Sequence, residues 1–528
     1  MVPDTVKIES GSLAGIVGTT QPAVRSFRGI PFAAPPVGDL RWKAPQPAAT
    51  WDGVRKADAF GAPCIAGAPF GGGRGGNRGG NRGDAPGAPP AAAPAPPREP
   101  ARSEDCLYLN VWTSANSASD KRPVMMWIYG GGFTGGSGGM TWYDGENLAA
   151  KGPVIVTMNY RLGAFGFLAH PDLTKEAGHS GNYGMMDAIA ALQWVKRNIA
   201  AFGGDPNNVT VAGESAGAIM VGALVGSPQA KGLFKRAIAE SGGWMGLTMA
   251  KMRTAADAEA AGAKAVEALG VKSMAELRSK PVDQLTGLNG AGLIVDGSVI
   301  PEDTSLTFQA GKENVVDVLT GSNKDEANFG ICPGAGLAGR GGPTGTIATF
   351  KAGAERKFGE MADQYLKLYP AATDADAQKM AHEACADEIS WNMRQWAAAE
   401  ASKGKKAYVY FFSHVQNVNG QPSPAGATHT SEISFAWNNP KGQANQTWTP
   451  SDTKLADEMS SYWVNFISKG DPNGNGLPKW PEFKSLSTSK VMVFGETPEV
   501  EPQAPAPKLA FYAAAFQRLL KGTAGAAN

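Results

Sequence analysis

Gly213-Glu214-Ser215-Ala216-Gly217 decides how the rest of the chain is read. Before it runs Asn208-Val209-Thr210-Val211-Ala212, a short β-branched stretch of strand character, and after it Ala218-Ile219-Met220-Val221-Gly222-Ala223-Leu224, whose apolar spacing is helical. The expected order is strand, sharp turn, helix. So tight a turn strains the backbone of its central residue and brings neighbouring chain close, and glycines two positions either side remove Cβ atoms that would collide. Ser215 is therefore expected to stand at the carboxyl end of a strand, with the following helix pointing its free N–H groups and positive dipole end at whatever the serine attacks.

Gly-x-Ser-x-Gly alone carries little weight, because with 68 glycines in 528 residues composition supplies about one match. Gly135-Gly136-Ser137-Gly138-Gly139 is such a match. It lies in a glycine run with no helical periodicity after it, so Ser137 reads as loop and Ser215 as nucleophile.

Charge narrows the class of partner. The 49 Lys+Arg and 48 Asp+Glu are interspersed and leave a net charge of +1, which provides no field for gathering nucleic acid or an anionic membrane surface. A small neutral molecule is the default partner. No run approaches the roughly 18 consecutive apolar residues of a spanning helix, and Val2-Pro3-Asp4-Thr5-Val6-Lys7 lacks the apolar region of a signal peptide. The four cysteines, Cys64, Cys106, Cys332 and Cys385, form no Cys-x-x-Cys or Cys/His cluster that suggests metal, so the choice is between disulfides and buried thiols; no cofactor is expected.

Along the chain, Thr5–Ile8 and Ala14–Val17 read as strand pieces, and Phe27 to Trp42, rich in Pro and Gly, as an ordered surface loop. Residues 65 to about 100 form a Gly/Pro/Ala-rich low-complexity insert with almost nothing to bury. Its Arg-Gly-Gly character suggests a nucleic-acid segment only weakly, being short and set between two cysteines. Cys106–Trp112, Pro123–Tyr129, Val154–Tyr160, Lys235–Ser241, Val315–Gly321 and Ala407–Phe412 read as strands, the second and third apolar enough to be covered on both faces. Met185–Ile199 and much of 251–290 and 351–402 read as helix, and the last hundred residues as aromatic-bearing helix and loop. The alternation predicts an α/β fold: a large, mostly parallel central sheet flanked by helices.

A serine hydroxyl is a weak nucleophile at neutral pH and needs a base held by a third group. Of His170, His179, His382, His414 and His429, only His429 lies in a loop beyond a late strand, in the chain order serine, acid, histidine. The acid is expected after a strand between the two, where chemistry alone leaves Asp325 and Glu326 open.

These stretches resemble the type-B carboxylesterase/cholinesterase family of α/β-hydrolases, of the bacterial para-nitrobenzyl-esterase-like kind. The resemblance runs through Phe27–Trp42, Ser103–Asn110, Tyr129–Phe133, Asn159–Phe167, Gly181–Asp187, Phe202–Gly217, Gly321–Glu326, Gly426–Ile433 and Gly470-Asp471-Pro472-Asn473. It implies a single elaborated α/β-hydrolase domain over residues 1–528. The implied chemistry is serine ester hydrolysis, with Glu326 as acid, His429 as base, and the N–H groups of Gly131, Gly132 and Ala216 as oxyanion donors. Glu214 is expected to face the site, Phe133, Trp244, Phe329, Phe435 and Trp437 to line an apolar pocket, and Arg41 and Glu104 to form a structural ion pair. A Cys64–Cys106 disulfide is implied too, and with it a periplasmic or secreted enzyme; Cys332 and Cys385 have no such match.

The family's choline-binding tryptophan has no counterpart here, because the cysteine-closed loop holds Phe70 as its only aromatic outside the Cys106 strand. Choline esters are thus not expected. Feruloyl, carbamate or synthetic esters stand as alternative substrates of the same site, lipids are disfavoured by the lack of a long apolar lid, and a non-catalytic binding module is disfavoured by the intact serine, acid and histidine. Monomer and dimer are both open.

Overall fold

The computed structural model describes residues 3–67, 100–242, 252–329, 345–442, 446–487, 489–502 and 506–524. Its organising element is an 11-stranded sheet. In chain order the strands are β1 (Ile16–Val17), β2 (Arg25–Pro31), β3 (Tyr108–Thr113), β4 (Arg122–Ile128), β5 (Val154–Met158), β6 (Gly204–Glu214), β7 (Arg236–Glu240), β8 (Asp317–Asn323), β9 (Ala407–Phe412), β10 (Lys490–Phe494) and β11 (Pro498–Pro502). Across the sheet they lie in the order β1-β2-β3-β5-β4-β6-β7-β8-β9-β10-β11. Neighbours from β5 to β10 pair parallel, and the strands outside them pair antiparallel. The sheet is the large, mostly parallel, helix-flanked one that the alternating pattern predicts.

Burial follows the same logic. Val124, Met125, Met126, Trp127 and Ile128 of β4 and every residue of β5 are buried, as unbroken apolar strands must be when helices cover both faces. The helix after β6, α2 (Ala216–Gly226), is apolar all round and buried from Ala216 to Val225, so it is a core helix rather than a surface one. By contrast α1 (Tyr183–Asn198) ends in Lys196 and Arg197, cations suited to a helix C-terminus.

Two expectations need correcting. The Pro/Gly-rich stretch from Phe27 is a loop only in its second half; Arg25–Pro31 is β2, with Phe27 and Ile30 fully buried. A register shift between Phe27 and Ile30 absorbs Gly29, and Pro31 takes the last pair, so neither residue interrupts the ladder. The final hundred residues also contribute β10 and β11, which extend the sheet beyond β9.

Cys64 and Cys106 are joined in a disulfide. Cys385 is also disulfide-bonded, while Cys332 lies outside the described residues, as do 68–99 of the low-complexity insert. Beside the bridge Arg41 holds Glu104 through two bonds of 2.6 Å and caps the carbonyls of Arg278 and Lys280, so the expected ion pair ties the amino-terminal loop to a distant helix. Among the described residues no helix is long and apolar enough to cross a membrane.

The Cys64–Cys106 bridge spans 42 residues, for which chain entropy gives a stabilisation of about 4 kcal/mol. We expect the Cys64→Ser/Cys106→Ser double variant to lose roughly that amount in guanidinium unfolding. An unchanged midpoint would show that the unfolded chain is not the state the bridge restrains.

Candidate active site

Ser215 sits between β6 and α2 with φ 54° and ψ −125°, a conformation that non-glycine residues rarely adopt and that costs about 1–3 kcal/mol. Two contacts hold it there. Its N–H donates to the Glu240 carbonyl on the adjacent strand at 2.9 Å, and α2 is pressed so tightly on β4 that a Cβ on Gly217 would come within 2.0 Å of the Ile128 carbonyl. The serine is 8% exposed. Ile219 N–H is the first to bond back, to Ser215 O, so the Ala216 N–H lies ahead of the helical ladder.

From the end of β4 the chain passes directly over this turn: a Cβ on Gly130 would lie 2.8 Å from that of Ser215. The next three residues all have positive φ, Gly131 at 110°, Gly132 at 61° and Phe133 at 61°, and the Gly131 carbonyl accepts from the N–H groups of Thr134 and Gly135. The glycine run is thus an ordered turn beside the serine.

The chemistry-based ambiguity between Asp325 and Glu326 resolves into two separate placements. Glu326 opens a short 3-10 turn just past β8, and its Oε2 lies 2.6 Å from His429 Nδ1, while its Oε1 accepts the Asn323 N–H at 2.8 Å. Asp325 instead clamps the histidine loop: its Oδ2 accepts from Ala427 N–H at 2.8 Å and its own N–H donates to the Ala427 carbonyl at 2.9 Å. Neighbouring acids thus hold the ring and the loop that carries it.

On its other side His429 meets a second carboxylate, with Glu214 Oε1 3.0 Å from Nε2. Burial works against a charged imidazole here, but Glu214 and Glu326 outweigh it and push the His429 pKa up to about 10. Burial raises Glu214 to about 8, opposed by the attraction of His429. Two further carboxylates, Glu240 and Glu432, are fully buried nearby. Glu240 Oε1 accepts from Trp463 Nε1 at 2.7 Å, and Glu432 accepts from the Asn323 side-chain amide. Burial raises both, Glu432 to about 7.

The sequence pattern of the Carboxylesterase family matches residues 2–512. The chain belongs to that family. It is a carboxylic ester hydrolase. Among characterised relatives, Fumonisin B1 esterase of Sphingopyxis macrogoltabida is 37% identical over 506 residues, covering 92% of this chain and 85% of that protein. Para-nitrobenzyl esterase of Bacillus subtilis is 32% identical over 521 residues, covering 94% and 97%. The crystal structure of a Geobacillus stearothermophilus carboxylesterase superposes with a TM-score of 0.77 at 31% identity, covering 96% of this chain and all of that one.

Two other histidines of this carboxylesterase are engaged in contacts of their own. His170 caps a helix by accepting from Asp172 N–H, and His414 is buried with Nε2 2.5 Å from Asp452. Ser137 is buried in a loop, where its Oγ accepts from Gly139 N–H. Of the aromatic pocket candidates, Phe133 is partly buried edge-on to Phe167, Phe435 is stacked on Trp448 beside Phe412, and Trp437 packs edge-on against Trp127. Trp244 and the side chain of Phe329 lie outside the described residues. Glu240 and Glu432 escaped the sequence reading, although each had a signal: a glutamate at the end of an otherwise apolar strand, and one three residues past His429.

With His429 as the expected base, which must be neutral to accept a proton, the carboxylate at Nε2 would move the acid limb of activity to higher pH. We expect Glu214→Gln to move the acid limb of kcat/KM down by on the order of one pH unit. A limb that stays in place, measured with a neutral ester, would mean that Glu214 carries no charge against His429.

Proposed function

We propose that this carboxylesterase hydrolyses carboxylic esters through an acyl-enzyme on Ser215, with His429 as general base and Glu326 holding the ring. Ser215 Oγ attacks the ester carbonyl and gives its proton to His429 Nε2, which passes it to the departing alcohol. Water, activated by the same nitrogen, then cleaves the acyl-serine. The N–H groups of Gly131, Gly132 and Ala216 receive the developing oxyanion, a role in which losing one donor typically costs about 100-fold or more. Glu326 keeps Nδ1 protonated, so that Nε2 is the nitrogen left to act. The observation that carries this reading is the 2.6 Å bond between His429 Nδ1 and Glu326, in one buried cluster with the residue that precedes the strained serine.

The chain is proposed to work as one α/β-hydrolase domain, since Ser215, Glu326 and His429, far apart in sequence, follow β6, β8 and β9 of one sheet. The Cys64–Cys106 disulfide favours a secreted or periplasmic setting. Fumonisin B1 joins simple esters as a test substrate because a relative with that activity is 37% identical.

Ser215→Ala is expected to lower kcat by at least about 10⁴-fold on p-nitrophenyl esters from acetate to laurate. The acyl length at which the wild type falls off measures the pocket. If the alanine variant retained wild-type turnover, Ser215 would not be the nucleophile.

A further inference from the structure

Three buried carboxylates lie close to a single imidazole, and a fourth, Glu240, lies beside two of them. Glu214, Glu240, Glu326 and Glu432 are each at most 1% exposed, and His429 is 2% exposed. Were all four ionised, even a protonated His429 would leave three uncompensated charges in a space without bulk water, which nearby carboxylates avoid by retaining a proton. The contacts indicate where that proton resides.

Glu326 and Glu214 both face the ring, at 2.6 Å and 3.0 Å. Glu432 is held by the Asn323 amide. Glu240 has the poorest environment for a charge. It is the register partner of Glu214 on the neighbouring parallel strand, so the two side chains leave the same face of the sheet from strands about 4.8 Å apart. Its one side-chain hydrogen bond comes from the neutral Trp463 indole, and Oε2 has no partner among the described residues. None of the ion pairs among those residues includes it. Among the described residues, the titratable groups that interact with it electrostatically are Glu214 on β6, Glu432 in the histidine loop, Tyr143 after β4 and Tyr410 on β9, none of them a cation.

We infer, building on the proposed roles of Ser215, His429 and Glu326, that Glu240 is a positioning residue that stays a neutral carboxylic acid at working pH and so allows Glu214 beside it to remain charged against His429. Burial and the proximity of Glu432 act in the same direction, raising Glu240 well above the usual carboxylate range against the pull of Trp463. The same residue's carbonyl accepts the Ser215 N–H, so Glu240 also fastens the backbone of the nucleophile turn.

Infrared spectra of wild-type protein at pH 9, above the value of about 8 to which burial raises Glu214, test this directly. The wild type should show the carbonyl stretch of a protonated carboxylic acid, and subtracting Glu240→Gln should isolate it; Glu432→Gln should leave it in place. Glu240→Met supplies the same subtraction without a polar group if the glutamine variant does not fold. Absence of the band in the wild type, or its survival in the Glu240 variants, overturns the proposal. The acid limb of kcat/KM is a second readout. Exchanging a neutral acid for a neutral amide leaves the limb within about 0.3 pH units, whereas removing a true carboxylate would draw it down by about one unit or more. The band is independent of turnover, so it is expected in Ser215→Ala as well; activity persisting in that variant would defeat the nucleophile assignment while leaving the spectrum to judge Glu240.

Discussion

The approach of α2 to β4 is the constraint on which the rest depends. With no side chain at Gly217, the helix backbone comes against the Ile128 carbonyl, and the chain between β6 and α2 must turn within one residue. That residue is Ser215, forced to φ 54° and fastened through its N–H to β7. The strain of roughly 1–3 kcal/mol is affordable because the apolar helix is buried from Ala216 to Val225. Core packing thus holds a polar residue at the end of the central strands in a fixed, strained backbone conformation.

Around that turn, electrostatics is arranged by sheet topology. Parallel strands end at the same edge, so the residues closing β6, β7 and β8 converge there and the histidine loop reaches back to meet them. Concentrating four carboxylates at this edge would be destabilising in isolation. It becomes useful beside one imidazole: carboxylates at both ring nitrogens favour the imidazolium that proton transfer creates. The same arrangement holds the resting ring's proton more tightly, so in the proposed reaction activity at low pH is traded for stabilisation of the charged intermediate.

Much of this was legible in the chain. The strand, turn and helix around Ser215 were readable because glycine spacing and β-branched residues report local geometry, and β4 and β5 because a strand covered on both faces has no polar alternation to conceal it. The choice between Asp325 and Glu326 was not readable from chemistry: both are carboxylates after the same strand, and only the fold shows one facing the ring and the other clamping Ala427. Strand β2 was hidden by Gly29 and Pro31, which a register shift and an end position accommodate. The Glu240–Glu214 pairing depends on register between strands that are not linked by a hairpin, a relation set by tertiary packing.

The central claim is that Ser215 forms the covalent intermediate. The most direct measurement is to react the protein with a fluorophosphonate, which phosphonylates activated serines, and to map the adduct by peptide mass spectrometry alongside the loss of esterase activity. The account predicts a single adduct on the peptide containing Ser215, formed in step with inactivation. An adduct on Ser137, or complete inactivation with Ser215 unmodified, would contradict it.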